Sequence, residues 1–376
     1  MIPNQRSLFS IPDHIAYLNC AYTSPLLKTA EAMGKKAVSA KGMPWNITPA
    51  DFFKTIETLR GLFAQLIHCS GEDIAVIPAV SYGISLAAKN LPVSQGQAIL
   101  VLGDQFPSNI YSWKRLAHEK KGKIQTIKRP ESHDWTTAVI NAIDTNTAIV
   151  AVPNCHWTDG TLVDLVQIGK ACRDHGAALV IDGTQSLGAM PFSIEEIKPD
   201  FLATTTHKWL LGPYSFGFCY IAPQWQNGTP LEESWLNRAG SEDFSRLVDY
   251  RDEYQPGARR FDVGGASNFF LSPVAQEALQ QILEWNPHHI AETIRMKTDL
   301  IAEKAESLGF KVAPKKMRAP HLIGISLPEG IPEDLPKKLS SENIFVSIRG
   351  QSIRIAPHLY TTDQDLDRLF RVLESL

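Results

Sequence analysis

Ala177 to Gly217, AALVIDGTQSLGAMPFSIEEIKPDFLATTTHKWLLGPYSFG, is the stretch on which the reading of this chain turns. Ala178 to Ile181 is a short apolar, β-prone run, and Asp182 follows where a buried strand ends. Pro191 and Pro199 break the connector, after which Phe201 to Thr206 reads as a second strand with His207-Lys208 at its end. Two such strand ends fall on the carboxyl edge of an open α/β sheet, the edge where these folds bind ligands. A lysine in a partly desolvated pocket can form a Schiff base, and a nearby aspartate can keep a heterocyclic nitrogen protonated. Gln185, three residues after Asp182, can donate to a ring's phenolic oxygen. Those are the partners that pyridoxal phosphate (PLP) requires. On spacing alone, a plain salt bridge explains the Asp182 and Lys208 pair as well.

Working outward, Ala98 to Leu102 and Thr147 to Val152 are further buried-strand runs, each opening into a polar loop, and Leu165 to His175 is a helix that returns the chain to Ala178. This β-loop-α rhythm predicts a mostly parallel sheet. Before it, helical spacing runs from Phe52 to Ile67, and Ala75 to Pro78 is a short lead-in to the loop Ala79-Val80-Ser81-Tyr82-Gly83. A helix follows from Ile84 to Ala88, so free N–H groups and a hydroxyl meet at a helix N-terminus, either as an anion site or with Ser81 merely capping the helix. Residues 224–262 form a long polar insert, of the kind that is usually functional in a compact domain. Beyond it, helices over Ser272 to Trp285 and His288 to Ser307, short strands from Phe310 to Ile355 and a last helix from Asp363 to Leu373 predict a smaller α+β unit.

The segments VIDGTQSLGAMPF (180–192) and ATTTHKWLLGPYSFGF (203–218) are similar to the signature of the class V aminotransferase family. That PLP-dependent group includes cysteine desulfurases, kynureninase and isopenicillin epimerase. The resemblance implies a PLP-dependent transferase of fold type I, an α/β protein whose large domain (16–262) carries the cofactor and whose small domain (1–15 and 263–376) closes over an amino acid. It implies that Asp182 pairs with the pyridine nitrogen, Gln185 touches the phenolic oxygen, His207 helps hold the phosphate and Lys208 carries the covalent link. Ser81, Tyr82 and Gly83 match the turn that holds the phosphate. Phe106 matches the position stacked on the ring, where the desulfurases have a histidine. His156 and Trp157 are both candidates to face the ring. Asn19 matches a substrate contact in the opening segment, and Arg354, in RIAPHLYTT, matches the arginine that takes the substrate's α-carboxylate. Gly265 stands where relatives place a residue reaching the partner subunit's phosphate, which implies a homodimer.

Composition narrows the alternatives. At 376 residues the chain exceeds the size at which one core stops growing, so two domains are expected. A net charge of −3, from 37 basic and 40 acidic residues, gives no basic stripe for nucleic acid or an anionic membrane. No apolar run is long enough to span a bilayer, and the start lacks a leader pattern, so a cytoplasmic protein is expected. Five scattered cysteines without a C-x-x-C pair argue against a disulfide framework or a structural metal site. Desulfurases carry a catalytic cysteine in the loop before the matching arginine, whereas Arg349-Gly350-Gln351 joins the strands directly here. The resemblance implies amino-acid transamination with a keto acid as co-substrate. C–S lysis or epimerisation is the alternative within the family, and a non-catalytic PLP-binding scaffold is the alternative outside it.

Overall fold

A computed structural model describes residues 1–376. In chain order the strands are β1 (Ala16–Tyr17), β2 (Ile74–Ile77), β3 (Ala98–Leu102), β4 (Lys123–Ile127), β5 (Thr147–Pro153), β6 (Ala178–Asp182), β7 (Phe201–Thr205), β8 (Gly217–Ile221), β9 (Lys311–Val312), β10 (Ile323–Ser326), β11 (Ile344–Phe345), β12 (Ser347–Arg349) and β13 (Ser352–Ile355). Seven of them form one sheet in the order β2-β8-β7-β6-β5-β3-β4. Only β8 runs against its neighbours; every other pair is parallel.

Both faces of this sheet are buried, and the period of two in each strand divides its residues between two apolar clusters. Ile74 and Val76, Leu100 and Leu102, Val150 and Val152, and Leu179 and Ile181 belong to one. Ala75 and Ile77, Ile99 and Val101, Ile149 and Ala151, and Val180 belong to the other. The first face packs against the helices Asp51–Ile67, Leu165–His175 and Leu271–Trp285, and the second against Val80–Asn90 and Tyr111–Lys120. Double burial is why these strands read as unbroken apolar runs. β4 escaped the sequence reading because it is an edge strand in which only Ile127 is buried.

β2, which sequence reasoning took for a lead-in, is the opposite edge of the sheet, and all four of its residues are buried. Its open ladder groups are satisfied by other parts of the chain. Arg60 Nη1 donates to Ile74 O at 2.5 Å, Val76 N donates to Asp262 Oδ1 at 2.8 Å, and Val263 N donates to Val76 O at 3.0 Å. Arg60 and Asp262 are themselves a buried pair, with Nη1 to Oδ1 at 3.0 Å.

A second sheet, in the order β12-β13-β10-β9, is antiparallel and covers a third apolar cluster with the helices Asp363–Leu373 and Leu335–Ser341. β1 pairs with β11, so Ala16 and Leu18 lie in this small core. The helix Leu271–Trp285 lies wholly with the large core, and Pro287–Ser307 passes from one to the other, with Ile290 in the first and Ile301 in the third cluster. Core membership thus moves the boundary past the expected 262/263, because an amphipathic helix follows the apolar face it covers. Main-chain hydrogen bonds also join the two parts: Leu162 N to Met317 O, Ala319 N to Gly160 O, and Gly324 N to Asp159 O. No helix is long and apolar enough to cross a membrane.

Arg60→Met removes the charge that compensates Asp262 while keeping most of the side-chain volume. It is expected to cost about 3–5 kcal/mol, because a buried carboxylate is left unpaired. Asp262→Asn, which keeps an acceptor for Val76, is expected to cost less. Denaturant midpoints of the two variants check the order.

Candidate active site

The chain leaves β3 for the edge strand β4 and returns to β5 on the other side of β3, so the loops after β3 and β5 diverge. Such a switch point opens a crevice at the carboxyl ends of the strands. A cavity of about 220 Å³ lies there, bounded by the loops after β2, β3, β5, β6 and β7. Ser81, Phe106, Trp157, Asp182, Gln185, His207 and Lys208 all line it.

Asp182 ends β6, is buried, and accepts a hydrogen bond from Thr184 N at 3.0 Å. Burial pushes its carboxyl above the usual carboxylate range, against the pull of the Thr184 hydrogen bonds and the Lys208 charge. Lys208 follows β7, and its Nζ stands 5.5 Å from the centre of the Phe106 ring. Burial lowers its amine to about 8, with Asp182 opposing and Arg354 adding to the fall. Neither side chain has an ion-pair partner within 4.0 Å, so the plain salt bridge that the spacing allowed is not made. Two oppositely charged groups are thus held on one cavity wall without neutralising each other.

The helix Val80–Asn90 begins earlier than the sequence suggested, with Ala79 at its N-cap and no side chain capping it. Tyr82 N and Gly83 N donate to Ala79 O, which leaves the N–H groups of Val80 and Ser81 for a ligand at the positive end of the helix. Ser81 stands in that turn on the cavity wall, whereas Tyr82 and Gly83 do not line the cavity. Gly83 serves packing: a Cβ there would lie 2.7 Å from Ala203 Cβ in β7. Thr205 lies two positions beyond Ala203 on the same face of β7, and its buried Oγ1 has no partner. The buried His207 Nδ1 is likewise unpartnered, and burial followed by the Lys208 charge lowers the imidazole to about 4. The His207 ring packs against Tyr214 at 4.7 Å.

Gln185 is held from two sides. Trp209 Nε1 donates to its Oε1 at 2.9 Å, and its own Nε2 donates to Ala21 O at 3.0 Å. Ser24 N donates to His207 O at 2.9 Å. The segment expected to contact substrate thus packs against the loops bearing Gln185 and Lys208; Asn19 itself accepts from Ser347 Oγ at 2.8 Å and is absent from the cavity wall.

Of the two candidates in the loop after β5, only Trp157 faces the cavity. Its ring meets Phe106 edge-on at 5.4 Å, and its Nε1 donates to Asp104 O at 2.6 Å. His156 turns inward, stacked on Trp135 at 5.3 Å and bonded to Thr158 Oγ1, Arg129 and Gly103 O. Arg354 is set one layer back: it is buried, donates to Trp157 O at 2.9 Å, and leaves its Nε unpartnered. Gly265 is exposed, at φ +78°, and does not line this chain's cavity. Sequence reasoning missed Thr184, Thr205, Cys155 and Tyr214, which do line it. Strand parity marked Thr205; the other three sit on irregular loops that carry no periodic signal.

These residues fit PLP. A buried acid and a half-buried amine stand unpaired on one wall, and an uncapped helix start with orphaned Thr205 and His207 atoms offers an anion cradle. The chain matches the aminotransferase class-V family over residues 46–369. It is 24% identical to the uncharacterized aminotransferase YcbU of Bacillus subtilis, over 97% of this chain and 95% of that protein. It is 24% identical to isopenicillin N epimerase of Streptomyces clavuligerus, over 84% and 83% of the two chains. Its fold superposes with a TM-score of 0.88 and 19% identity on a C-DES mutant with glycine covalently linked to its PLP cofactor, covering 99% of both chains. The chain therefore belongs to the class V aminotransferase family, and its cofactor is pyridoxal 5'-phosphate.

Proposed function

We propose that this enzyme transfers the amino group of an amino acid to a keto acid, with Lys208 as covalent anchor and proton carrier and Asp182 as partner of the ring nitrogen. The observation that carries the reading is the buried Asp182 and the half-buried Lys208, on one cavity wall without an ion pair. When bound, PLP supplies an aldehyde that takes up the amino group and a ring that withdraws electrons from the substrate's Cα. Lys208, with its amine lowered to about 8, stays mostly protonated near neutral pH but gives up its proton far more readily than an ordinary lysine, so it can release a proton and take it back. The Asp182 carboxylate favours a cation opposite it in a site where water is scarce. Ser81, Thr205, His207 and the start of the helix Val80–Asn90 are the donors for the phosphate. Phe106 presents a flat apolar face and moves no proton.

The assembly we propose is a homodimer. Tyr250, Val248 and Trp235 of the insert and Phe270 just beyond it are exposed, a surface suited to a second copy of the chain. Five unpaired cysteines, four of them buried, support a reducing, cytoplasmic setting.

The test incubates holoenzyme with amino acids and a keto-acid acceptor and follows visible absorbance and products. Stoichiometric formation of a new keto acid and a new amino acid is expected. Racemised substrate, or pyruvate without amine acceptance, would replace transamination with epimerisation or lysis, and a spectrum unmoved by every amino acid would favour a scaffold. Lys208→Ala is expected to fold but to lose both turnover and the visible absorbance of covalently held cofactor.

The Lys208 amine also carries a pH signature. Acylation of Lys208 in cofactor-free protein, read by mass spectrometry, is expected to be half-maximal near pH 8, because the neutral amine reacts and burial favours it. A midpoint near the ordinary lysine value of about 10.4 would contradict the desolvated site.

Persulfide-forming desulfuration is expected to be absent. That chemistry needs an accessible thiolate, and β12 and β13 are joined by Gly350-Gln351 alone. Cys155 is the cysteine on the cavity wall, but it is buried, donates to Gln185 O at 3.2 Å, and has its thiol pushed up by burial. With L-cysteine or L-cystine, any sulfur release should yield pyruvate and ammonia. Alanine with a protein-bound persulfide is the contrary result.

A further inference from the structure

The side-chain amide of Gln185 can sit in its place in one orientation only. Trp209 Nε1 is a donor with no lone pair to offer, and it meets Gln185 Oε1 at 2.9 Å. Ala21 O is an acceptor with no hydrogen to give, and it meets Gln185 Nε2 at 3.0 Å. Turning the amide over would set N–H against N–H at one end and oxygen against oxygen at the other. An amide nitrogen carries two hydrogens, of which Ala21 takes one. The second remains free on a residue that lines the cavity together with Asp182, Thr184 and Lys208.

The residue that enforces this orientation is itself held fast. Trp209 follows Lys208 directly and is fully buried. The His321 ring meets the indole edge-on at 4.4 Å, and the His358 ring lies 6.0 Å from it. His321 stands just ahead of β10 and His358 just after β13, so residues carried by the second sheet hold the tryptophan that holds the glutamine. His321 also fixes the main chain of Gln185: its Nε2 lies 2.5 Å from Gln185 O. Because a carbonyl can only accept, Nε2 carries the hydrogen, and burial, which lowers the imidazole to about 4, keeps the ring neutral. Packing alone would be met by any large apolar ring at position 209. Only the indole brings a donor to Oε1.

Resting on the cofactor reading of this cavity, with Gln185 at the ring's phenolic oxygen, we propose that Trp209 is a positioning residue: it fixes the free Gln185 N–H toward that oxygen and so sets the pH at which the covalently held cofactor gains and loses its proton. A donor at the oxygen counts most once the proton shared with the neighbouring nitrogen has gone, so it favours loss of that proton. Removing the donor, or releasing the amide that carries it, raises the midpoint.

The test titrates the visible absorbance of the holoenzyme with pH in wild type, Gln185→Leu, Trp209→Phe and the double variant. Gln185→Leu should raise the midpoint by about 0.4–1 pH unit, the range of one net hydrogen bond. Trp209→Phe should raise it by at least half as much and should add nothing in the Gln185→Leu background, because it acts through the amide. Asp182, Cys155, His207, Lys208, His321 and Arg354 surround this end of the cavity and are common to every protein compared, so their charges cancel in the differences. A midpoint unmoved or lowered in Trp209→Phe while Gln185→Leu raises it, or two rises that add in full, overturns the inference and leaves Gln185 at the oxygen. Neither variant raising the midpoint overturns both placements. Should Trp209→Phe fail to fold, the eight indole N–H signals of isotope-labelled holoenzyme decide. One signal that moves upfield and exchanges faster with deuterium in Gln185→Leu is expected, and eight unmoved signals overturn the inference. None of these readouts depends on which reaction the enzyme runs.

Discussion

A mostly parallel sheet keeps both faces of its central strands buried, and that constraint determines most of this molecule. It requires helices on each side of the sheet and crossovers that carry the chain back to the same end, so the strand-end loops collect along one edge. Asp182, Lys208, Trp157, Phe106 and Ser81 come from five separate loops and meet because of it. The edge strand β2 then needs its free ladder groups met by the Arg60 and Asp262 pair, which couples the long insert to the sheet.

Charge at the site is arranged against folding stability. Asp182, Lys208 and Arg354 are withdrawn from water without ion pairs, and each is shifted toward its neutral form by burial. Elsewhere the chain pairs its buried charges, as at Arg60 and Arg318. The contrast separates residues that hold the fold from residues that wait for a ligand. Binding a group that supplies the missing countercharges must also stabilise the folded chain, by simple mass action.

The buried strands were legible because their apolar runs left no other assignment, and Asp182, Gln185, His207 and Lys208 were legible because they sit at the ends of those runs. What stayed hidden depended on tertiary packing. β4 is polar and peripheral, and β2 is short and ends at Pro78. His156 and Trp157 are adjacent in sequence and point to opposite sides of their loop, a choice made by Trp135 and Gly103, which no local pattern reveals. Ser81 was read as lying ahead of its helix, yet it lies in the first turn, because Ala79 ends the extended segment without a capping side chain. The opening segment was placed by resemblance, and the bonds that tie its Ala21 and Ser24 to Gln185 and His207 carry no local sequence signal.

The main-chain bonds from Asp159, Gly160 and Leu162 to the small domain leave no room for play on that flank. Gly324 lies so close to Asp159 that a Cβ would sit 2.6 Å from the aspartate's own Cβ. The loop bearing Trp157 and the β12–β13 hairpin bearing Arg354 consequently behave as one stiff body, and sliding them apart means breaking three hydrogen bonds at about 0.5–1.5 kcal/mol each. Position 324 therefore acts as a shim: any side chain added there would tilt the hairpin and reset the width of the site without touching a reacting atom.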